Sequence, residues 1–516
     1  MKSTRNAPLV VFIILLLSVG FALAAENADT LNAKRVEALL LSLPGRVQTS
    51  GIEVKGDTLV VRGLTASLRM QEGEMTVRTV LSIDEIVCTG VDFNAVDTPG
   101  VQRLAANVRI TGYAARNDFI SSQGNGGSPF FSQKTLMRSS SIDGLHGNVL
   151  EFHKAASGTG SLTRLLPPLL SFGIDSVNME EMTTSYLEGT VARAQLDVRA
   201  ATAHKLGLMH SGPAKMEGIT LEAEGKKVLH IDAVGHESLR FTELFSPFLL
   251  LDYTKPGMEA EALAILISSL PKLSFSMEGL YITGVRTLMP ELGDNSLRRM
   301  SGALTASFAE VKLDASMEEL TLSPTLYASL GTQGKALADH YRESIQFSGG
   351  VQVTASNRLD GGSVTLHQLS ATESNLGKTE FSLKLAYSPS LLALFTRPED
   401  MQVGVQESAF LLDDRGIGDL FFALMLQEKK QVPDAKLLAF VRAEAARGIR
   451  QAALDKGGKY AEAAEALAQL CEQSGVVKLR LRSDVPIPVD DIINFRPLND
   501  LEVQYSPPEK RGAAEQ

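Results

Sequence analysis

The chain is expected to be a mainly β protein with interspersed helices, an α+β fold built on an extended, repetitive antiparallel sheet. Three observations predict it. Apolar and polar residues alternate with a period of two between Lys272 and Pro324, glycines interrupt and flip the alternation, and the pattern recurs upstream and downstream between turn signals. That period places apolar side chains on one face of a strand and polar ones on the other, the signature of an antiparallel sheet wetted on one side.

In the central stretch, Leu273, Phe275 and Met277 alternate with Ser274, Ser276 and Glu278; after Gly279 the apolar set moves to Leu280 and Ile282. A change of face at a glycine predicts a β-bulge. Leu304, Ala306 and Phe308 occupy even positions, Val311, Leu313, Ala315 and Met317 odd ones, and Leu320 and Leu322 return to even. Upstream, Gly51 to Val54, the Lys55-Gly56-Asp57 turn and Leu59 to Leu68 predict a hairpin, continued by Met75, Val77, Leu81 and Ile83. Downstream, Val351 and Val353 enter a turn at 357–362 and return as Val364 and Leu366, followed by Phe381, Leu383 and Leu385.

Taken in order, the chain begins with Lys2 and Arg5, an apolar core from Leu9 to Leu17 and a small-x-small Ala22-Leu23-Ala24 site, which together predict an export signal over residues 1–24. The alternative is an uncleaved anchor over residues 8–25, close to the ~18–20 residues that a spanning helix needs. Either way the body is expected outside the cytoplasm, in the periplasm or cell envelope. Residues 25–120 are expected to hold a helix from Asn27 to Leu43, closed by Pro44-Gly45, and the first β segment. Residues 121–141, rich in serine and glycine, are expected to be a loop. Residues 142–405 carry β repeats with short helices; one of these, Met258 to Leu270, is apolar over much of its circumference and too short to cross a bilayer. From residue 406 to 505 the pattern becomes helical: Ile417, Leu420, Phe421, Leu424 and Met425; then Leu438, Val441, Ala445, Ile449 and Ala452 after Pro433; then Lys459 to Gln473, closed by Gly475. The segment ends on Val477, Leu479 and Leu481, which alternate with Lys478, Arg480 and Arg482, and residues 506–516 are expected to be a disordered tail.

Composition narrows function by exclusion. The chain has 516 residues and a net charge of −10, which becomes −12 without residues 1–24 because these hold Lys2 and Arg5 and no acid. That balance argues against nucleic-acid binding. Tryptophan is absent and aromatics make up 6%, which weakens any site built on stacking. Cys88 and Cys471 each fall in the apolar register of their own segment and are expected to be unpaired.

Motifs for chemistry fail on inspection. His236-Glu237 opens like a zinc-protease helix, but Arg240 stands where the second histidine belongs. Gly377-Lys378-Thr379 resembles the end of a phosphate loop, yet Thr372 replaces the leading glycine and the segment runs into a strand. No Gly-x-Ser-x-Gly elbow occurs. No catalytic or metal-ligating residue and no cofactor is therefore nominated, and the expectation is a protein that is not an enzyme.

The strand patterns at Leu273 to Ile282, Leu304 to Leu322, Phe381 to Leu385 and Val477 to Leu481, behind an N-terminal signal or anchor, resemble those of the AsmA-like proteins of the bacterial envelope. The resemblance implies a sheet curled into a groove with an apolar interior, and a role in moving or organising lipids. Leu273, Phe275, Met277, Phe308, Phe381 and Leu383 are then the groove candidates. Lys478, Arg480 and Arg482, roughly 7 Å apart on a regular strand, are candidate contacts for anionic head groups, the alternative being a solvated outer face. Two other classes stay open: a structural envelope protein whose sheets enclose a filled core, and an exported hydrolase without a recognisable motif.

Overall fold

A chain with this alternation must pair its strands and give their apolar faces a common side. A computed structural model describes residues 28–42, 46–72, 75–93, 95, 98–121, 129–150, 171–189, 191–207, 210–241, 274–307, 309–329, 331, 334–335, 337–338, 341–358, 360–373, 375–389, 398–428, 431, 434–453, 457–493, 498 and 500–508. Among them, 21 strands belong to one open antiparallel sheet, accompanied by six α-helices. The chain divides into two compact units: Met1–Leu270 with Phe275–Leu280, and Pro271–Ser274 with Tyr281–Gln516.

The first unit starts with helix α1 (Ala28–Ser42), followed by β1 (Arg46–Gln48), β2 (Gly51–Lys55), β3 (Thr58–Glu72), β4 (Met75–Thr89), β5 (Gln102–Ser121) and β6 (Phe131–Gly147). It continues through β7 (Gly173–Glu188), β8 (Val191–Gly207), β9 (His210–Ser211), β10 (Ala214–Ala223), β11 (Lys226–His236) and β12 (Ser238–Arg240), and takes in the first part of β13 (Ser274–Thr287). From β3 to β8 each strand pairs with the next in sequence, and β10 then pairs with both β8 and β11. The hairpin expected at Lys55-Gly56-Asp57 forms with Lys55 opposite Thr58, and the Gly56 amide donates to Asp29 of α1.

Val36 and Leu40 of α1 pack on Val47, Val54, Leu59, Val61 and Leu64, so the helix closes the apolar face of the first strands. The strands keep that face apolar by bulging. In β5 the inward positions run Val108 and Ile110, then switch parity across Gly112 to Tyr113 and Ala115. Gly112 has φ +63°, and a β-carbon there would run into the Asp84 carboxyl, so both backbone and neighbour demand glycine. The switch expected at Gly279 takes the same form, with φ +60° and Glu237 occupying the space of a side chain.

The second unit contains β14 (Ser296–Ser307), β15 (Glu310–Leu322), helix α2 (Pro324–Ala328), β16 (Ile345–Arg358), β17 (Gly361–Glu373), β18 (Gly377–Ser388) and β19 (Gln402–Asp414). Helices α3 (Ile417–Glu428), α4 (Ala435–Ala453) and α5 (Gly458–Gln473) follow, then β20 (Gly475–Pro488), α6 (Val489–Ile493) and β21 (Leu501–Ser506). From β14 to β21 every strand pairs with its successor. The parity change expected between Met317 and Leu320 is a register shift there, with Glu319 at φ +49°.

One buried cation ties the helices of this unit together. The Arg442 guanidinium, on α4, donates to Asp419 of α3 at 2.5 Å, to the Cys471 and Leu470 carbonyls at the end of α5, to Ser474 and to Asp414. Asp414 in turn accepts the Gly416 and Gly418 amides at 3.0 Å, which caps the start of α3. A single side chain thus satisfies the C-terminal carbonyls of one helix and the capping acid of another.

One expectation is revised, and several fall outside the described residues. Residues 121–141 are not a loop throughout: residues 131–141 belong to β6, which pairs with β5 on one side and β7 on the other. The signal at 1–24, the helix at 258–270, residues 122–128, most of the tail (509–516), Leu273 and Phe308 lie outside the described residues.

Gly112→Ala is expected to lose about 1–3 kcal/mol in a urea melt, the strain of a left-handed non-glycine residue plus displacement of Asp84. Gly51→Ala, which has no atom within 4 Å of its added carbon, should melt with the parent. Arg442→Met leaves Asp414 buried without its cation and is expected to cost about 3–5 kcal/mol in the same measurement.

Candidate functional site on the apolar sheet face

Antiparallel register turns the alternation of single strands into rows that cross the sheet. In the first unit one row runs Leu59, Cys88, Val108, Ile142, Val177, Ala203, Ala214 and His236, each directly opposite the next. A second runs Val61, Ile86, Ile110, Ser140, Met179, Ala201, Met216 and Val234. Burial along them is graded. Under α1, Val61 and Cys88 are fully covered, whereas Met179 is half-buried and Met216 is 40% exposed. Met179 and Met216 both stand at this open end, and the buried Met137 lies directly opposite the half-buried Met182. Flexible thioether side chains suit a surface that adapts to differently shaped apolar partners.

The second unit repeats the arrangement. Ala306, Val311, Ala355, Val364, Leu385, Val405 and Ile487 form one row; Leu304, Leu313, Val353, Leu366, Leu383, Ser408 and Leu481 form the next. A third runs Gly302, Ala315, Val351, Leu369, Phe381, Phe410, Leu479 and Val503. With strands about 4.8 Å apart, a row over eight strands is roughly 34 Å long. Helix α5 covers one end, where Ala466, Leu467 and Leu470 pack with Leu412, Val477, Leu479, Val503 and Tyr505. Toward β14 the rows stay open: Met300 is 45% exposed, Leu313 38% and Leu369 49%.

Of the residues nominated from sequence, Phe381 and Leu383 lie on adjacent rows of this second-unit face, both half-buried. Phe275 and Met277 are also half-buried but belong to the first unit, where Phe275 tilts against Phe241 with ring centroids 5.0 Å apart and Met277 faces Leu239. Lys478, Arg480 and Arg482 are exposed on the opposite, polar face of β20. Leu369, Leu313, Met300 and Met216 were not nominated, although they are among the open large side chains on the two faces. Their signal was the pairing register, which single-strand periodicity does not contain.

Two depressions of the second unit open on the polar face. One, of about 340 Å³, is lined by side chains such as Asp314, Ser316, Gln352, Ser370 and Lys378; a second, of about 360 Å³, lies by Glu380, Leu411, Lys478 and Arg480. Neither is walled by the nominated groove side chains on the apolar side; Phe381 borders the second through a strand whose neighbours Glu380 and Ser382 face it. His236 ends the first row of the first unit, and its Nδ1 has no hydrogen-bond partner among the described residues. Burial holds its imidazole pKa below the ordinary value. No helix among the described residues is long and apolar enough to cross a membrane. No protein-family model, curated protein or solved structure matches the chain.

Neither cysteine is disulfide-bonded, and burial pushes the Cys88 thiol up to about 12. Because the thiolate is the reactive form, Cys88 is expected to resist maleimide at pH 8 in the native protein and to label at once in denaturant. Mass spectrometry of the Cys88 peptide after each treatment checks this.

Proposed function

We propose that the chain is a non-enzymatic, exported envelope protein that holds lipid against the apolar face of its sheet and helps to move or organise lipid in the cell envelope. The groove-forming role implied by resemblance to AsmA-like proteins belongs to this proposal, with Phe275 and Met277 as lining residues in the first unit and Phe381 and Leu383 in the second. One observation carries it: three apolar rows, interrupted only at Gly302 and Ser408, cross the second unit while Met300, Leu313 and Leu369 on that face remain 38–49% exposed. Apolar surface left in water forgoes about 25 cal/mol per Å², so such a face is stabilised by an apolar occupant. Acyl chains match it because they conform to a long, chemically uniform strip.

A second reading, a structural protein with a filled core, is favoured by the first strands, where α1 closes the face over Leu59, Val61 and Leu64. Substitution separates the two. Leu64→Asp buries an unpaired carboxylate and is expected to unfold the first unit. Leu369→Asp, whose carboxylate stays hydrated, is expected to melt within a few degrees of the parent while losing an environment-sensitive apolar dye and any lipid recovered by solvent extraction and mass spectrometry. Parent protein that takes up no dye and yields no lipid overturns the lipid-binding proposal.

A further inference from the structure

The strands that carry the apolar rows of the second unit present a different chemistry on their other side. Three polar-face rows cross β18, β19 and β20: Lys384, Glu407 and Arg482; Ser382, Ala409 and Arg480; Glu380, Leu411 and Lys478. The carboxylates here are already engaged, Glu380 with Lys378 at 2.6 Å and Glu407 with Arg480 at 3.3 Å, and Glu502 of β21 lies opposite Arg480. Lys384, Lys478 and Arg482 are exposed and have no ion pair among the described residues. In a chain of net charge −10, these three rows carry four cations against two carboxylates.

Geometry adds a second feature. The depression of about 360 Å³ on this face is lined by Ala409 and Leu411 together with His367, Lys478 and Arg480, and by Glu380, which is already paired with Lys378. Leu411 is an apolar residue in a polar row, between Glu380 and Lys478. Cations around a small apolar floor suit an amphiphilic anion: the charged group meets Lys478 and Arg480, and carbon next to it covers Leu411. Along β20, Arg480 lies about 7 Å from Lys478 and from Arg482, within the ~8 Å Debye length at physiological salt, and Lys384, two strands from Arg482, stands about 10 Å away, so the cations act together on a charged surface.

The geometry points to the β18–β20 polar face as a docking surface for a membrane bearing anionic phospholipid. It turns the head-group contacts expected from Lys478, Arg480 and Arg482 into a patch that includes Lys384 and the Leu411 depression. The site lies on the opposite side of the strands from the proposed acyl-binding face and does not depend on that proposal.

The test is co-sedimentation of the full chain with vesicles of phosphatidylglycerol and phosphatidylcholine, against vesicles of phosphatidylcholine alone. Binding is expected only to the anionic vesicles and is expected to weaken as salt rises. Lys384→Gln, Lys478→Gln and Arg482→Gln break no ion pair seen among the described residues, and each is expected to lower vesicle affinity about fivefold, near the ~1 kcal/mol of a basic residue at an anionic surface. The triple variant should lose about a hundredfold while keeping the parent melting temperature and apolar-dye binding. Leu411→Ser should weaken vesicle binding without changing its salt dependence. Equal binding to both vesicle types, or a triple variant that binds like the parent, overturns the proposal. So does inorganic phosphate at tens of millimolar abolishing binding when sodium chloride of matched ionic strength does not, which would mark a free-anion site.

Discussion

Everything in this protein depends on keeping one face of each strand apolar while the chain reverses direction strand after strand. Side chains alternate strictly along a β-strand, so a single uncorrected slip would turn every later apolar residue outward. The bulges at Gly112 and Gly279 and the shift at Glu319 absorb an extra residue and restore the face. Their cost is local backbone strain, met with glycine in two of the three places. The gain is that Leu, Val, Ile and Met from eight strands fall into straight rows rather than scattering over both sides.

The rows then meet different fates according to what lies over them. Helix α1 seals the first strands into a core, and α5 seals the last. Between those caps in each unit burial falls away, and the residues that stay open are long aliphatics and methionines rather than the alanines or threonines that would cost least in water. The opposite face carries ion pairs such as Arg480 with Glu407 and Lys378 with Glu380. Two surfaces of contrasting chemistry are thereby built on a wall one strand thick.

Strand positions were legible because period two is a strong signal, and the hairpins at 55–58 and 358–361 and the parity changes at Gly279 and after Met317 stand where the pattern placed them. Residues 131–141 were missed because β6 places Gln133, Thr135 and Ser140 at inward positions, so composition resembled a loop. Arg442 was passed over for the same kind of reason. It lies one turn beyond Leu438 and one before Ala446, and its partners Asp414, Asp419 and Cys471 arrive from other elements. Of the groove candidates, Phe381 and Leu383 share a face with Leu369 and Leu313, but the exposure of that face depends on which rows the helices reach, which no single strand encodes.

Sequence-neighbour pairing also bears on how such a protein can change over evolutionary time. In a meander where β14 to β21 each bond only to their predecessor and successor, adding or deleting one hairpin lengthens or shortens every row by two residues and leaves the remaining pairings intact. Stability then behaves as a sum of neighbour terms, as in repeat proteins. The length of the wall is accordingly a quantity that insertion can tune in steps of roughly 10 Å, two strand spacings, without redesigning a core.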